Sequence, residues 1–426
     1  MEQKFIESTL GLMDFIADSP SNFHAVQTVC SMLDNAGFKA LDEKEEWKLK
    51  SGSSYYTVRN SSAVIAFRLP KGDISGYSII SAHTDSPVFK IKENPEIVSD
   101  GKYTTLNVEA YGGMLMAPWF DRPLSVAGRV FLKKTLKQVL VDIDRDLCLI
   151  PNLCIHQNRD ANKGYEYKVQ KDLLPLIAQG DQKGSLNALV AKTLDVSEKD
   201  IADSELYLYN RTPARIWGLD NEFFSSPRID DLMCAYCGLK ALLNASDSKT
   251  SKISMLALFD NEEVGSSTKQ GAASDFLATT AGRIAEALKW SYQKQCAVKA
   301  SSFMLSADNG HSFHPNRPEV CDPVNRPVMN GGVLIKYAGN QKYTTDAYSA
   351  AYLKDILDKA NVPYQVYHNN SNFAGGSTLG NISQTQFSVP TVDIGAAQLA
   401  MHSPYETAGC CDTFYLTEGM TAFLEA

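Results

Sequence analysis

Lys252-Ile-Ser-Met-Leu-Ala-Leu-Phe259 is a largely apolar strand that runs straight into Asp260-Asn-Glu-Glu263. The same arrangement recurs three times. Tyr77-Ser-Ile-Ile-Ser-Ala82 leads into His83-Thr-Asp85, and Ser302-Phe-Met-Leu-Ser-Ala307 leads into Asp308-Asn-Gly-His311. Thr391-Val-Asp-Ile-Gly395 leads toward Ala400-Met-His402. Open α/β sheets place their sites at the carboxyl ends of strands, so the four clusters are expected to converge on one rim.

Working outward, Ile6, Leu10, Met13 and Ile16 recur at helical spacing and predict one buried face. After Ser19-Pro20-Ser21, Phe23, Val26, Val29 and Leu33 predict a second helix, with Gly37 past its end. From about Glu93 to Glu222 short strands dominate, among them Tyr103 to Val108, Ser125 to Leu132 and Gln138 to Ile143. After Ser225-Ser-Pro227 the α/β alternation returns, with a helix near Asp230, a long one from about Asp275 to Trp290, and a strand at Val333 to Tyr337. The expected fold class is α/β: a three-layer α/β/α domain (1–92 and 223–426) interrupted by an inserted β-rich domain (93–222).

The composition fits this. The chain has 426 residues, 44% of them apolar and 21% charged, ample for a real core. A net charge of −8 argues against nucleic acid or an anionic membrane as partner. No apolar run approaches the ~20 residues of a membrane span, and the first twenty residues lack the pattern of a signal peptide. Nine cysteines are too sparse for a disulfide scaffold, and a cytoplasmic, reducing setting is expected. Cys234 and Cys237 lie in a helical run without a second pair, which favours core packing over zinc. Cys410-Cys411 reads as structural.

The polar clusters carry the chemistry. Asp85, two residues beyond His83 on an extended segment, points the same way and can brace the imidazole of a metal ligand. Glu262-Glu263 directly after an apolar strand is an expensive place for idle charge. If the pair ends the strand, the two carboxylates face opposite ways, one toward metal and one free to act as base. Asp230, Asp308 and His402 each have a plainer reading: a helix cap, a turn residue before Asn309-Gly310, and a strand end. For Asp231 the cap is preferred. Together, imidazoles and carboxylates without a fitting thiol suit zinc, with manganese or cobalt as substitutes. Asp230, Glu262, Glu263 and Asp308 carry four negative charges, which two divalent ions would balance. Gly375-Gly-Ser-Thr-Leu-Gly380 is not a nucleotide-binding loop. Gly375, Gly376 and Ser377 could offer backbone donors to a substrate, with a plain turn as the competing reading.

Several motifs resemble one family. They are His83-Thr-Asp85, Pro227-Arg-Ile-Asp230, Asp260-Asn-Glu-Glu-Val-Gly-Ser266, Ser306-Ala-Asp308, Gly375-Gly-Ser-Thr378 and Met401-His402-Ser403. With Tyr111-Gly-Gly113, Trp119-Phe-Asp-Arg122 and Ile155-His156 of the insertion, they are similar to the aspartyl aminopeptidase family of two-zinc metallopeptidases. The resemblance implies His83, Asp230 and Asp308 on one zinc, and Asp230, Glu263 and His402 on the other. It implies Glu262 as general base, and His156 as a histidine that the insertion delivers to the active site of a dimer mate. Lys336 lies where the family places a cation for an acidic substrate side chain. A homo-oligomer is implied, a dodecamer built from dimers, acting on peptides. The chain departs from the pattern at Asp231, where the family often has Asn. Two other functions use the same metal set: a two-zinc amidohydrolase or deacylase, and an aminopeptidase preferring neutral N-terminal residues. A metal-binding protein without activity would leave Glu262 idle.

Overall fold

The computed structural model describes residues 1–246, 249–373 and 375–426. Lys252–Phe259, Gly76–His83, Phe303–Ala307 and Thr391–Gly395 lie side by side in one nine-stranded sheet, in that order. All three contacts between them are parallel, and Phe259 stands level with His83. The four strands whose ends carry the polar clusters are therefore neighbours, and their carboxyl ends form one rim.

The side chains of these strands divide between two cores. In Ala63–Arg68, Val64 and Ala66 face one core, while Ala63, Ile65 and Phe67 face the other. Ile80 and Ile79 divide in the same way, as do Leu256 and Met255. The period-two alternation of a strand gives a sheet apolar on both faces, and each face needs a helical layer. Gln3–Ala17, Asn22–Asn35, Ile229–Asn244, Ala347–Ala360 and Cys410–Leu424 cover one face. Phe276–Ala287, Tyr292–Ala300 and Leu379–Ser383 cover the other. The expected three-layer α/β/α body is present.

The first helix buries a different stripe from the one its periodicity suggested. Phe5, Thr9, Leu12, Phe15 and Ile16 are buried, whereas Leu10 is 44% exposed. The aromatic residues decide the rotation. Phe5 packs edge-on against Phe414 and Tyr415, and Phe15 lies against Tyr236. Thr9 Oγ1 donates to the Cys410 carbonyl at 2.9 Å, so the first helix is seated on the helix Cys410–Leu424. The second helix buries Phe23, Val26, Val29 and Leu33 as expected, with Ser21 as its cap.

The inserted sheet has six strands in the order Gln138–Asp142, Leu124–Leu132, Ile201–Asn210, Val88–Ser99, Tyr103–Tyr111 and Leu176–Gln179. Every pair in it is antiparallel. It has its own core around Phe89, Leu106, Trp119, Val126 and Leu208. It starts at Val88 and ends at Asn210, inside the 93–222 span at one end and outside it at the other. Val88–Ser99 was hidden because Lys90, Lys92, Glu93 and Pro95 break its apolar pattern, and its register shifts between Ile91 and Glu96.

A third sheet, of five strands, was not foreseen. Arg215–Trp217, Phe223–Ser226, Glu406–Gly409, Ala397–Leu399 and Gly310–His311 form it in that order. It draws its strands from widely separated parts of the chain and lies beside the rim of the large sheet. Cys234 and Cys237 are fully buried, with Cys237 Sγ against the Thr413 carbonyl at 3.4 Å, which bears out core packing. Cys410 and Cys411 are buried where the helix Cys410–Leu424 begins.

Candidate active site

His83 is the last residue of its strand and is 1% exposed. Its Nδ1 lies 3.1 Å from the Asp85 carbonyl and 3.3 Å from Asp85 Oδ1, which leaves Nε2 to face the rim. Asp85 does more than brace the ring. Its two carboxylate oxygens accept the backbone N–H groups of Glu262 and Glu263, each at 3.2 Å. The Tyr111 hydroxyl, at the end of an inserted strand, donates to Asp85 Oδ2 at 2.7 Å. One carboxylate thus ties together a histidine, the double glutamate and the inserted sheet.

Glu262 and Glu263 lie on a short 3-10 turn, Glu262–Val264, and do not end the strand. The alternation of an extended chain therefore does not separate them. The turn itself does, starting from Asn261 at φ 61° and closing at Gly265 at φ 96°. Glu263 reaches toward His402 Nε2, 3.4 Å away. Gly112 of the insertion, at φ 79°, approaches so closely that an added Cβ would sit 3.0 Å from Glu263 Cβ.

Asp230 lies between the two histidines. Its Oδ1 is 3.6 Å from His83 Nε2 and its Oδ2 is 3.5 Å from His402 Nε2. Asp308 approaches from the end of Phe303–Ala307, and Gly395 makes room for it: an added Cβ there would lie 2.0 Å from the Asp308 carbonyl oxygen. Three overlapping groups result, each with donor atoms within 4.8 Å of one another: His83, Asp230 and Asp308; Asp230, Glu263 and His402; and His83, Glu262 and Glu263. The six residues thus come together, with Asp230 common to the first two groups.

The electrostatics of the cluster call for cations. Burial, with Asp308 and Asp85 nearby, pushes the Glu262 carboxyl up to about 8 against the opposing pull of His83. Burial likewise raises Asp308 to about 6, although Lys336 opposes it. Burial disfavours charge on His402, but Asp230 outweighs it and lifts the ring to about 9. Burial would raise Asp230 as well, yet the two histidines hold it below the usual carboxylate range. Asp230 Oδ1 and Glu263 Oε1 are buried without a hydrogen-bond partner among the described residues. Bare buried carboxylate oxygens crowded by like charge are what a metal ion would satisfy. The donor set of imidazole and carboxylate fits zinc.

Other predicted residues are placed differently. Lys336 is 1% exposed on an interior strand, between Thr391–Gly395 and Tyr364–His368. Its Nζ donates to the Asp308 carbonyl at 2.6 Å and the Asn309 carbonyl at 3.2 Å, and lies 3.7 Å from Asp308 Oδ2. In this arrangement it supports a ligand segment and offers no free ammonium to a substrate. Asp231 does not act simply as a cap; it is fully buried and accepts the His83 N–H at 3.4 Å. His156 is exposed in the insertion and belongs to none of the three donor groups of its own chain.

A cavity of about 380 Å³ lies beside the cluster, lined by His311, Tyr367, Phe373, Leu399, Ala400 and Gly375 among others. Gly376 and Ser377 do not line it; Ser377 Oγ donates instead to Asn381 Oδ1 at 3.0 Å. The sequence reading missed Glu406, Gln398 and Asn309, all buried beside the ligands. Gln398 in the otherwise apolar run Ala396 to Leu399 was the available signal.

Comparison with known proteins gives a consistent result. The sequence profile of the family described as "Aminopeptidase I zinc metalloprotease (M18)" matches residues 15–424. A probable M18 family aminopeptidase 2 of Clostridium novyi is 44% identical, with 97% of each chain covered. Its counterpart in Clostridium acetobutylicum is 42% identical, with 98% of each chain covered. Among solved structures, a chain of the Ape4 and Nbr1 complex superposes with a TM-score of 0.96 at 33% identity, covering 99% of this chain and 86% of that one. The mApe1 dodecamer of S. cerevisiae gives a TM-score of 0.87 at 27% identity, covering 99% and 97%.

Proposed function

The chain belongs to the M18 family of aminopeptidase I zinc metalloproteases, and on that premise we propose that it is a two-zinc aminopeptidase removing N-terminal residues from peptides. The observation that carries this reading is the sharing of Asp230 between two three-donor groups, with Glu262 in a third. His83, Asp230 and Asp308 would hold one ion, and Asp230, Glu263 and His402 the other. Zinc bound there supplies Lewis acidity, which brings the pKa of water near neutrality and polarises a carbonyl. Manganese or cobalt would serve the same donors.

The protein's own groups do the rest. Glu262 takes the proton of the attacking water at its carboxylate and returns it to the leaving amine. Asp85 holds the Glu262 and Glu263 backbone and the His83 ring in one piece, so base and ligands keep their spacing. The Asp230–Glu263 side favours the free α-amine of the substrate. His156, exposed in the insertion, would reach the site of a partner subunit and donate to the developing oxyanion. A dodecamer, as in the mApe1 relative, is the proposed assembly. Among the described residues no helix is long and apolar enough to cross a membrane, and a cytoplasmic setting accords with nine unpaired thiols.

A preference for Asp or Glu rests on Lys336. Its ammonium would have to exchange the Asp308 and Asn309 carbonyls for a substrate carboxylate. The largely apolar cavity beside the cluster favours a second reading, a neutral N-terminal side chain. Lys336→Met tests the acidic reading: selective loss of aspartyl and glutamyl substrates supports it, equal loss on leucyl substrates makes Lys336 structural and removes it, and a wild-type preference for leucyl peptides supports the neutral reading. The aminopeptidase reading itself is tested with a free-amine peptide and its N-acetylated form. Activity lost on acetylation is the expected result; activity retained would make the protein a deacylase or other amidohydrolase.

A further inference from the structure

Asn309, Gln398 and Glu406 are 3%, 1% and 2% exposed and form a continuous buried hydrogen-bonded chain. The Ala396 N–H donates to Asn309 Oδ1 at 3.0 Å, which fixes the orientation of that amide. Its Nδ2 then donates to the Ile229 carbonyl at 3.2 Å and to Gln398 Oε1 at 2.9 Å. Gln398 must therefore turn its Nε2 outward, and it donates to Glu406 Oε1 at 3.1 Å. The same Oε1 accepts the His402 N–H at 2.8 Å, and Oε2 accepts the Asp230 N–H at 3.0 Å. Both oxygens of Glu406 act only as acceptors.

The ends of this chain meet the ligand segments. Asn309 follows Asp308, Ile229 precedes Asp230, and Glu406 holds the backbones of Asp230 and His402 directly. His402 needs such a hold, because its φ of 64° lies in the left-handed region that a non-glycine residue adopts rarely. The three residues come from different strands or strand edges of the five-stranded sheet. That sheet therefore acts as a frame, and the polar chain sets the spacing of the turns that hang from it.

We infer that Glu406 is a positioning residue that fixes Asp230 against His402 and so controls metal affinity at the Asp230, Glu263 and His402 position more than at the His83, Asp230 and Asp308 position. This rests on the two-metal reading. Groups that orient metal ligands typically account for ~10–100-fold in affinity. An amide in place of the carboxylate keeps one acceptor oxygen and turns an NH2 toward a backbone N–H, so the two hydrogen bonds to the ligand backbones cannot both survive.

The test titrates zinc into metal-free wild type, Glu406→Gln and Gln398→Met, following binding by calorimetry and fold by circular dichroism. Wild type should bind two equivalents. Glu406→Gln should bind one normally and the other ~10–100-fold more weakly, and excess zinc should restore most of its turnover. Gln398→Met leaves the Glu406 contacts to both ligands in place and should weaken the same single position by a smaller factor. It also serves if Glu406→Gln does not fold, since selective weakening still supports the inference and unchanged binding at both positions overturns it. Two wild-type equivalents that weaken alike, or not at all, in Glu406→Gln would overturn the inference alone. A single wild-type equivalent would overturn the two-metal reading and this inference with it.

Discussion

His83 and Asp308 stand at the carboxyl ends of strands in the nine-stranded sheet, whereas Asp230 lies where Phe223–Ser226 of the five-stranded sheet passes into the helix Ile229–Asn244, and His402 in the turn between Ala397–Leu399 and Glu406–Gly409. The first pair inherits its position from parallel ladders clamped between two apolar cores. The second pair has no such ladder behind it; its backbone is held by the buried carboxylate of Glu406. The first pair has polar contacts as well, Asp85 on His83 and Lys336 on Asp308, but its backbone is set by the sheet, whereas the backbone of the second pair depends on Glu406. Removing packing from the first region and removing hydrogen bonds from the second are therefore different injuries, and they should be separable by experiment.

The largest expected effect tests whether every residue of the cluster belongs to this ligand comparison. Glu262 is assigned to proton transfer, so Glu262→Gln should lower kcat by ~10²–10⁴-fold with two zinc equivalents retained, as read by initial rates and metal analysis. Loss of a zinc equivalent would exchange its role with that of Glu263. Next in size is a residue outside both sheets of the site. His156→Ala should lower kcat by ~10²–10³-fold, the usual cost of an oxyanion donor. Mixing that protomer with a Glu262→Gln protomer should recover activity, since a mixed dimer assembles one intact site. No recovery after verified subunit exchange would mean that His156 acts in its own chain or not at all.

A smaller effect concerns the insertion's grip on the first region. Tyr111→Phe removes one hydrogen bond to a buried carboxylate, worth ~1.5–3 kcal/mol, and kcat/KM should fall by about one to two decades. If the sheet positions His83 without help, kcat/KM will not change.

The smallest effect is on stability against pH in the metal-free protein. Glu262 at about 8, Asp308 at about 6 and His402 at about 9 all sit above their unfolded values. A raised group favours the folded state while protonated, and that contribution is lost as pH rises through its folded pKa. Thermal unfolding temperature should therefore fall between about pH 5 and pH 9 without metal. Saturating zinc should flatten that slope, because the ions replace the protons. A slope of opposite sign would mean that the carboxylates are already balanced in the metal-free fold.

What the sequence disclosed follows the same division. The four strand-end clusters were legible because a buried strand is a continuous apolar run, and a charge directly after it stands out. Val88–Ser99 was not, since lysines, glutamate and a proline interrupt its pattern and its partners lie far along the chain. The five-stranded sheet was invisible because its strands are two to four residues long and their pairing is non-local. Asn309 read as a turn residue before Gly310, though it is a buried link of the Glu406 chain; a short polar side chain looks the same in either role. Lys336, expected to face a substrate, stands on an interior strand, and strand order, unlike strand identity, is not written in local periodicity.

The seating of the helix Gln3–Ala17 on the helix Cys410–Leu424 has a consequence for timing. A chain leaves the ribosome in order, and its early parts fold first. His402 and Glu406 follow every other residue of the site, and the helix after them, Cys410–Leu424, docks on a helix made well before it. A chain that has not yet reached residue 402 lacks His402, so of the two proposed metal positions the one with Asp230, Glu263 and His402 is the later to be completed.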